Sequence, residues 1–332
     1  ASPYSKHLAS PETLADKTRR VNSNPASPKS LLRLLAYPLA VVLLACLMSP
    51  PLYWAGNFLA EAGILPIVEG FPFHRYFSRS VQISALLLLW PAFRWVGIRS
   101  LSVLGIDKNP RWKRDLAVGF VIAFLPVLAL GVGYFFSGVY EFRADWEGAK
   151  FLRVAGTACA VSVVEEFLFR CVFLGLCLMA MGRVAAVGFS AAFFAVVHFL
   201  KTAKQPLDAP VTWWSGFEQL PLLFSSAPPW PLLGWGFVSL VLAGILLAVA
   251  TIRTRSLFLA IGLHAGWILG QQGIQILGKF GIKPSDRLLP WVGENVVSGA
   301  VPTGLLPLVV LGITGVLIFW FLRHAPCDRN NP

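Results

Sequence analysis

Eight apolar stretches, each close to the length that crosses a bilayer, leave this chain little choice of fold. They lie at roughly 33–53, 80–97, 115–136, 152–180, 184–200, 232–252, 256–277 and 303–322. About 20 residues of helix cross a hydrocarbon core of ~30 Å. Inside lipid the backbone must satisfy its own hydrogen bonds, and a helix does so within one segment. The 332 residues are 56% hydrophobic and 13% charged, with mean hydropathy +0.67, which excludes an ordinary soluble domain of that length. The fold class expected is all-α: a polytopic transmembrane helix bundle of about eight spans around a conical or cleft-like polar core. The short fifth stretch and the long fourth predict tilt or protrusion.

The net charge of +12 reads as basic cytoplasmic loops, not as a nucleic-acid surface. Arg19, Arg20, Lys29 and Arg33 precede the first stretch, and Lys108, Arg111, Lys113 and Arg114 follow the second. Arg183, Arg253, Arg255 and Arg323 fall on the same side if all eight stretches cross, so both termini are expected inside. The five Cys form no CxxC and serve as small apolar packing residues. Residues 1–32 are polar and basic and read as a disordered cytoplasmic tail, not a signal peptide. Residues 33–150 would form N-terminal transmembrane helices and 151–277 a catalytic core. Residues 278–332 would hold an outer loop, the last transmembrane helix and a short tail. The outer loops at about 54–79, 201–231 and 278–302 are rich in aromatic residues, Pro and Gly. Trp213, Trp214, Trp230, Trp235 and Trp291 fit an interfacial aromatic belt, and some of these loop segments would be short surface helices. No internal repeat is visible, against an inverted-repeat transporter.

The chemistry concentrates in Val163-Val164-Glu165-Glu166-Phe167-Leu168-Phe169-Arg170. A charge at bilayer depth costs at least ~2.5–3.5 kcal/mol, so ionisable residues there are paired or functional. On a helix, Glu166 and Arg170 are four apart and share a face. Glu165 points about 100° away. Arg170 can therefore neutralise Glu166 and leave Glu165 as the unpaired carboxylate, suited to acid–base work. His198 is the next polar intramembrane residue. The midpoint of 165 and 198 falls in the turn Met181-Gly182-Arg183, so an antiparallel hairpin brings Glu165 and His198 to one depth. His264, in Gly262-Leu263-His264-Ala265-Gly266, lies mid-helix among small residues that let helices approach closely. A lone His there is ordinarily a satisfied hydrogen-bonder; beside the other two clusters it becomes a third functional residue. One difficulty stands. His264 is nine residues past Arg255 and His198 fifteen past Arg183, a depth mismatch of roughly 9 Å at 1.5 Å per residue.

These residues resemble the CAAX protease and bacteriocin-processing family of intramembrane glutamic-type endopeptidases, related to the type II CAAX prenyl proteases. The family pattern is EExxxR, then FxxxH, then HxxxN or HxxxD. Glu165-Glu166-Phe-Leu-Phe-Arg170 and Phe194-Ala-Val-Val-His198 match the first two fully, and His264-Ala-Gly-Trp-Ile268 matches the third only at its histidine. The resemblance covers about residues 150–275. It implies that Glu165 and His198 activate water and that His264 and the residue four later line an oxyanion hole, with Glu166 and Arg170 completing the site. Ile268 has no donor to offer, and Gln271 or the Trp267 indole could replace it. The expectation is no cofactor; the alternative is zinc held by Glu165, His198 and His264. Expected partners are membrane lipids and a membrane-proximal peptide or protein substrate, with no nucleic acid. Two other functions stay open: a catalytically degenerate relative acting as membrane scaffold or immunity factor, and a transporter relaying protons through Glu165 and His198. A bacterial inner membrane is the expected location.

Overall fold

The computed structural model describes residues 28–98, 100–200, 210–223, 230–281 and 304–324. All eight apolar stretches are helical. α1 spans Pro28–Glu61, α2 Phe73–Val96 and α3 Trp112–Phe136. α4, Gly148–Glu166, runs through a π-helical segment, Phe167–Phe173, into α5, Leu174–Ala180. α6 is Arg183–Phe199, α7 Ser215–Leu222, α8 Trp230–Thr254, α9 Phe258–Leu277 and α10 Leu305–His324. The chain is an all-α bundle and an integral membrane protein. Four segments are long and apolar enough to cross a membrane: Leu35–Glu61, Trp112–Phe136, Leu233–Thr254 and Leu305–His324. The other four expected spans are shorter or more polar. α6 has only 17 residues. α2 carries Arg75, Arg79 and Arg94, α4 carries Lys150, Arg153 and the two glutamates, and α9 is diluted by His264 and three Gln.

Two boundaries differ from expectation. α1 begins at Pro28, ahead of the boundary at 33, and continues to Glu61, because Leu52-Tyr53-Trp54 carries no breaker after Pro51. The loop after α1 is correspondingly short and holds one 3₁₀ turn, Pro66–Val68. The expected tail at 1–27, Trp291 and the final residues lie outside the described residues. A two-stranded antiparallel pairing, β1 Tyr140–Phe142 with β2 Gly278–Phe280, ties the end of α3 to the end of α9. Three residues per strand leave too short an alternation to read from sequence.

α9 is the central helix, packed against α3, α4 and α8. Its contact with α3 is made by glycines at four-residue spacing. A Cβ added at Gly262 would lie 2.1 Å from the Leu116 carbonyl oxygen, and one at Gly266 2.6 Å from that of Phe120. Gly119 answers from α3, where an added Cβ would lie 2.4 Å from the Leu259 carbonyl oxygen. In lipid, where no hydrophobic force draws helices together, small residues permit the close packing that does. His264 is two residues from Gly262 and from Gly266, so it projects from the opposite side of α9, away from α3. The start of α9 is pinned as well. Arg255, at φ +50°, turns the chain between α8 and α9; its carbonyl accepts from Asp107 N–H at 2.8 Å and its guanidinium pairs with the Asp107 carboxylate. Asn109 Nδ2 donates to Asp115 at 2.8 Å and to Ser256 Oγ at 3.1 Å. This knot fixes the height of α9 against α3. Gly262→Val is expected to lower folded yield sharply, because the obstructing atom is backbone and overpacking of that kind costs ~1–3 kcal/mol or more. Retained detergent-stable yield and melting temperature would show that the α3–α9 contact is looser than it stands.

Candidate active site

The chain enters the site at the end of α4. From Phe167 to Phe173 the helix is π-helical, not the regular α-helix expected over 163–170. Its i→i+5 bonds widen the turn; such segments are rare and recur at functional sites. The wider turn still lets Arg170 reach back, with Nε 3.4 Å from Glu166 Oε2, an ion pair without a tight hydrogen bond. Both side chains are fully buried. The guanidinium lies 4.4 Å from the centroid of the Phe194 ring, a desolvated cation–π seat.

Glu166 has a second partner that sequence reading did not foresee. His264 Nδ1–H donates to Glu166 Oε1 at 2.8 Å. This contact joins α9 to α4, across 98 residues of chain. His198 is anchored differently: its Nδ1–H donates to the Phe194 carbonyl at 2.8 Å, one turn earlier in α6. A carbonyl only accepts, so Nδ1 carries a proton and Nε2 is the nitrogen turned to the site. Both imidazoles thus turn Nε2 to the same place. His198 Nε2 lies 3.6 Å and His264 Nε2 3.8 Å from Glu165 Oε2. The Glu165–His198 apposition expected from the hairpin is present. The depth mismatch for His264 is closed: since both histidines meet one carboxylate, the turns before α6 and α9 are staggered or the helices tilted.

Burial separates the five residues. Glu166 and Arg170 are sealed, whereas the side chains of Glu165 and His198 retain 22% and 13% exposure. The inner pair is sealed from solvent; the outer pair is partly open to it. Phe194 was legible only as a motif residue, yet it supports Arg170 with its ring, His198 with its carbonyl, and stands edge-on to His264 at 6.1 Å. The only sequence sign of this was its place four residues before His198.

Around His264, the aliphatic side chain of Ile268 is buried. Trp267 is buried, its Nε1–H without a hydrogen-bond partner among the described residues, and Gln271 is buried. Among the described residues no group of three His, Cys, Asp or Glu side chains that could hold a metal ion is found.

An intramembrane helical bundle with a carboxylate held between two imidazoles, backed by a sealed ion pair, is the class of protein that this fold and site define. A family model, type II CAAX prenyl endopeptidase Rce1-like, matches residues 147–269. That segment contains all three motifs, and the match supports the resemblance to the CAAX protease and bacteriocin-processing family. No curated protein and no solved structure is significantly similar to the chain.

Proposed function

We propose that this chain is an intramembrane endopeptidase that hydrolyses a peptide bond near the membrane. The observation that carries the reading is the position of Glu165 Oε2, a buried oxygen on a partly exposed side chain, within 3.6–3.8 Å of two imidazole Nε2 atoms. Those separations are too long for direct hydrogen bonds, and a water that enters beside Oε2 as these side chains part would be reached by all three groups. Glu165, assisted by His198, takes a proton as the water oxygen attacks the scissile carbonyl carbon. His264, whose charge is balanced by Glu166, donates from Nε2–H as the imidazolium to the oxyanion that forms. Collapse of the tetrahedral intermediate breaks the C–N bond, the leaving amine takes the proton, and a carboxylate and an amine are released. Arg170 holds Glu166, and through it His264, in place. Both termini lie in the cytoplasm of a bacterial inner membrane in this reading, the substrate is a membrane-proximal peptide or protein, and no cofactor takes part.

The test is cleavage of quenched-fluorescent peptides, with and without a prenylated CAAX tail, by the protein in lipid vesicles. Turnover by the wild type and its loss in Glu165→Gln support the reading; no turnover of any peptide, or equal turnover by both chains, overturns it. A chelator such as 1,10-phenanthroline is expected to leave the rate unchanged, and inhibition reversed by added zinc would return zinc to Glu165, His198 and His264. Ile268 favours a second reading, a catalytically degenerate relative that serves as scaffold or immunity factor.

Ile268→Asn distinguishes two states of the oxyanion site. A donor placed one helical turn from His264 shares its face. If the site lacks a donor, the rate is expected to rise roughly tenfold or more, since such donors contribute ~2.7–4 kcal/mol before geometric losses. If Trp267 supplies it, Ile268→Asn is neutral or harmful and Trp267→Phe slows turnover.

A further inference from the structure

The Arg170 guanidinium is buried without the contacts that a buried cation ordinarily has. Its Nε, Nη1 and Nη2 find no hydrogen-bond acceptor among the described residues. Its ion-pair partner, Glu166 Oε2, stands 3.4 Å from Nε and makes no hydrogen bond either. A buried charge is costly unless it is paired and hydrogen-bonded.

What the cation does have is aromatic. Its central carbon lies 4.4 Å from the centroid of the Phe194 ring and 5.9 Å from that of Phe169. The two rings stand at 90° to each other with centroids 5.1 Å apart. An aromatic face is the negative side of the ring quadrupole, and it attracts a cation most strongly where water is excluded. Here Phe194 is 2% exposed and Arg170 1%.

From this contact a short chain leads to the reacting groups. Arg170 faces Glu166, Glu166 Oε1 accepts from His264 Nδ1–H at 2.8 Å, and His264 Nε2 lies 3.8 Å from Glu165 Oε2. Attraction between two charges without a tight hydrogen bond sets no direction, so the guanidinium needs a second wall. Phe194 supplies one from α6, where its ring centroid also lies 4.2 Å from that of His198. A leucine could fill part of the same volume, but it has no negative face to offer.

We propose that Phe194 is a positioning residue: its ring face holds the Arg170 guanidinium by cation–π attraction, and through Glu166 that hold aims His264 at Glu165. This role rests on the peptidase reading for its effect on rate. A Phe that only fills space answers to its shape. A Phe that holds a cation answers to the charge on its face.

The experiment places 4-fluoro-, 3,5-difluoro- and 3,4,5-trifluorophenylalanine at position 194 of the full chain by stop-codon suppression, in lipid vesicles. Each fluorine draws electron density from the ring face and changes the shape little. On a fluorescent peptide, kcat is expected to fall with fluorine number, by about tenfold over the series, with KM little changed. Phe77, also 2% exposed and with no cation over its ring among the described residues, is the control, and its series should be flat. A second readout needs no turnover. The Nδ1–H resonance of isotope-labelled His264 should shift stepwise with fluorination at 194. In Glu166→Gln/Arg170→Gln the dependence of that resonance and of the melting temperature on fluorination should vanish, because the cation is gone. In an active protein, a flat kcat at 194, or a slope matched at Phe77, would overturn the proposal. A fixed His264 resonance beside graded melting temperatures would make Phe194 structural only and overturn it too, as would a dependence that survives in the double variant. If the wild type cleaves no peptide, the peptidase reading falls, and the His264 resonance still decides whether Phe194 positions it.

Discussion

Glu165→Gln is expected to lower peptide-bond cleavage by about 10²–10⁴-fold while expression and membrane insertion persist, the range over which a positioned acid–base group contributes. The substitution keeps the shape of the side chain and removes only its ability to take a proton. Structural cost should be small, because Glu165 is partly exposed and its nearest nitrogens, at 3.6 and 3.8 Å, make no tight hydrogen bond that the amide would break. The measurement is kcat on a vesicle-reconstituted fluorescent peptide, together with the melting temperature. Full activity in Glu165→Gln would remove Glu165 as the base and leave His198 Nε2 to take the proton alone. A loss of activity accompanied by a large drop in melting temperature would make Glu165 a structural residue.

Glu166→Gln and Arg170→Gln are expected to do the opposite: folded yield should fall more than with Glu165→Gln. Both side chains are sealed from solvent, and each substitution strands the other's charge in a low-dielectric site. Removing one partner of a buried pair costs ~3–5 kcal/mol. The double variant Glu166→Gln/Arg170→Gln should recover yield relative to either single change, since no uncompensated charge remains. The structure adds a difference between the singles. Glu166 also receives the His264 Nδ1–H, so Glu166→Gln should lower kcat as well as yield, and the double variant should regain stability without regaining rate. Simply additive losses of yield would mean that the pair does not act as a pair.

Much of the site was legible in the sequence because its geometry is local or nearly so. Glu166 and Arg170 are four residues apart, a spacing that puts them on one face even through the wider π-helical turn. Glu165 and His198 sit at equal distances from one short turn, and an antiparallel hairpin converts equal counts into equal depth. The helices follow from the apolar runs, because backbone in lipid has few other ways to satisfy its hydrogen bonds.

What the tertiary structure alone decided is how helices remote in sequence stand against each other. His264 could be read as functional, but not that its Nδ1–H would be taken by Glu166 while Nε2 turned to Glu165; that depends on the height and rotation of α9. Those were set by Gly262 and Gly266 against the α3 backbone and by the knot of Asp107, Asn109, Asp115, Arg255 and Ser256. Counting residues from Arg183 and Arg255 failed by roughly 9 Å because it assumed level turns and upright helices. The seat that Phe194 provides for Arg170 was equally out of reach. Periodicity along one helix fixes which residues share a face, but the register between two helices is fixed by which small side chains let their backbones meet.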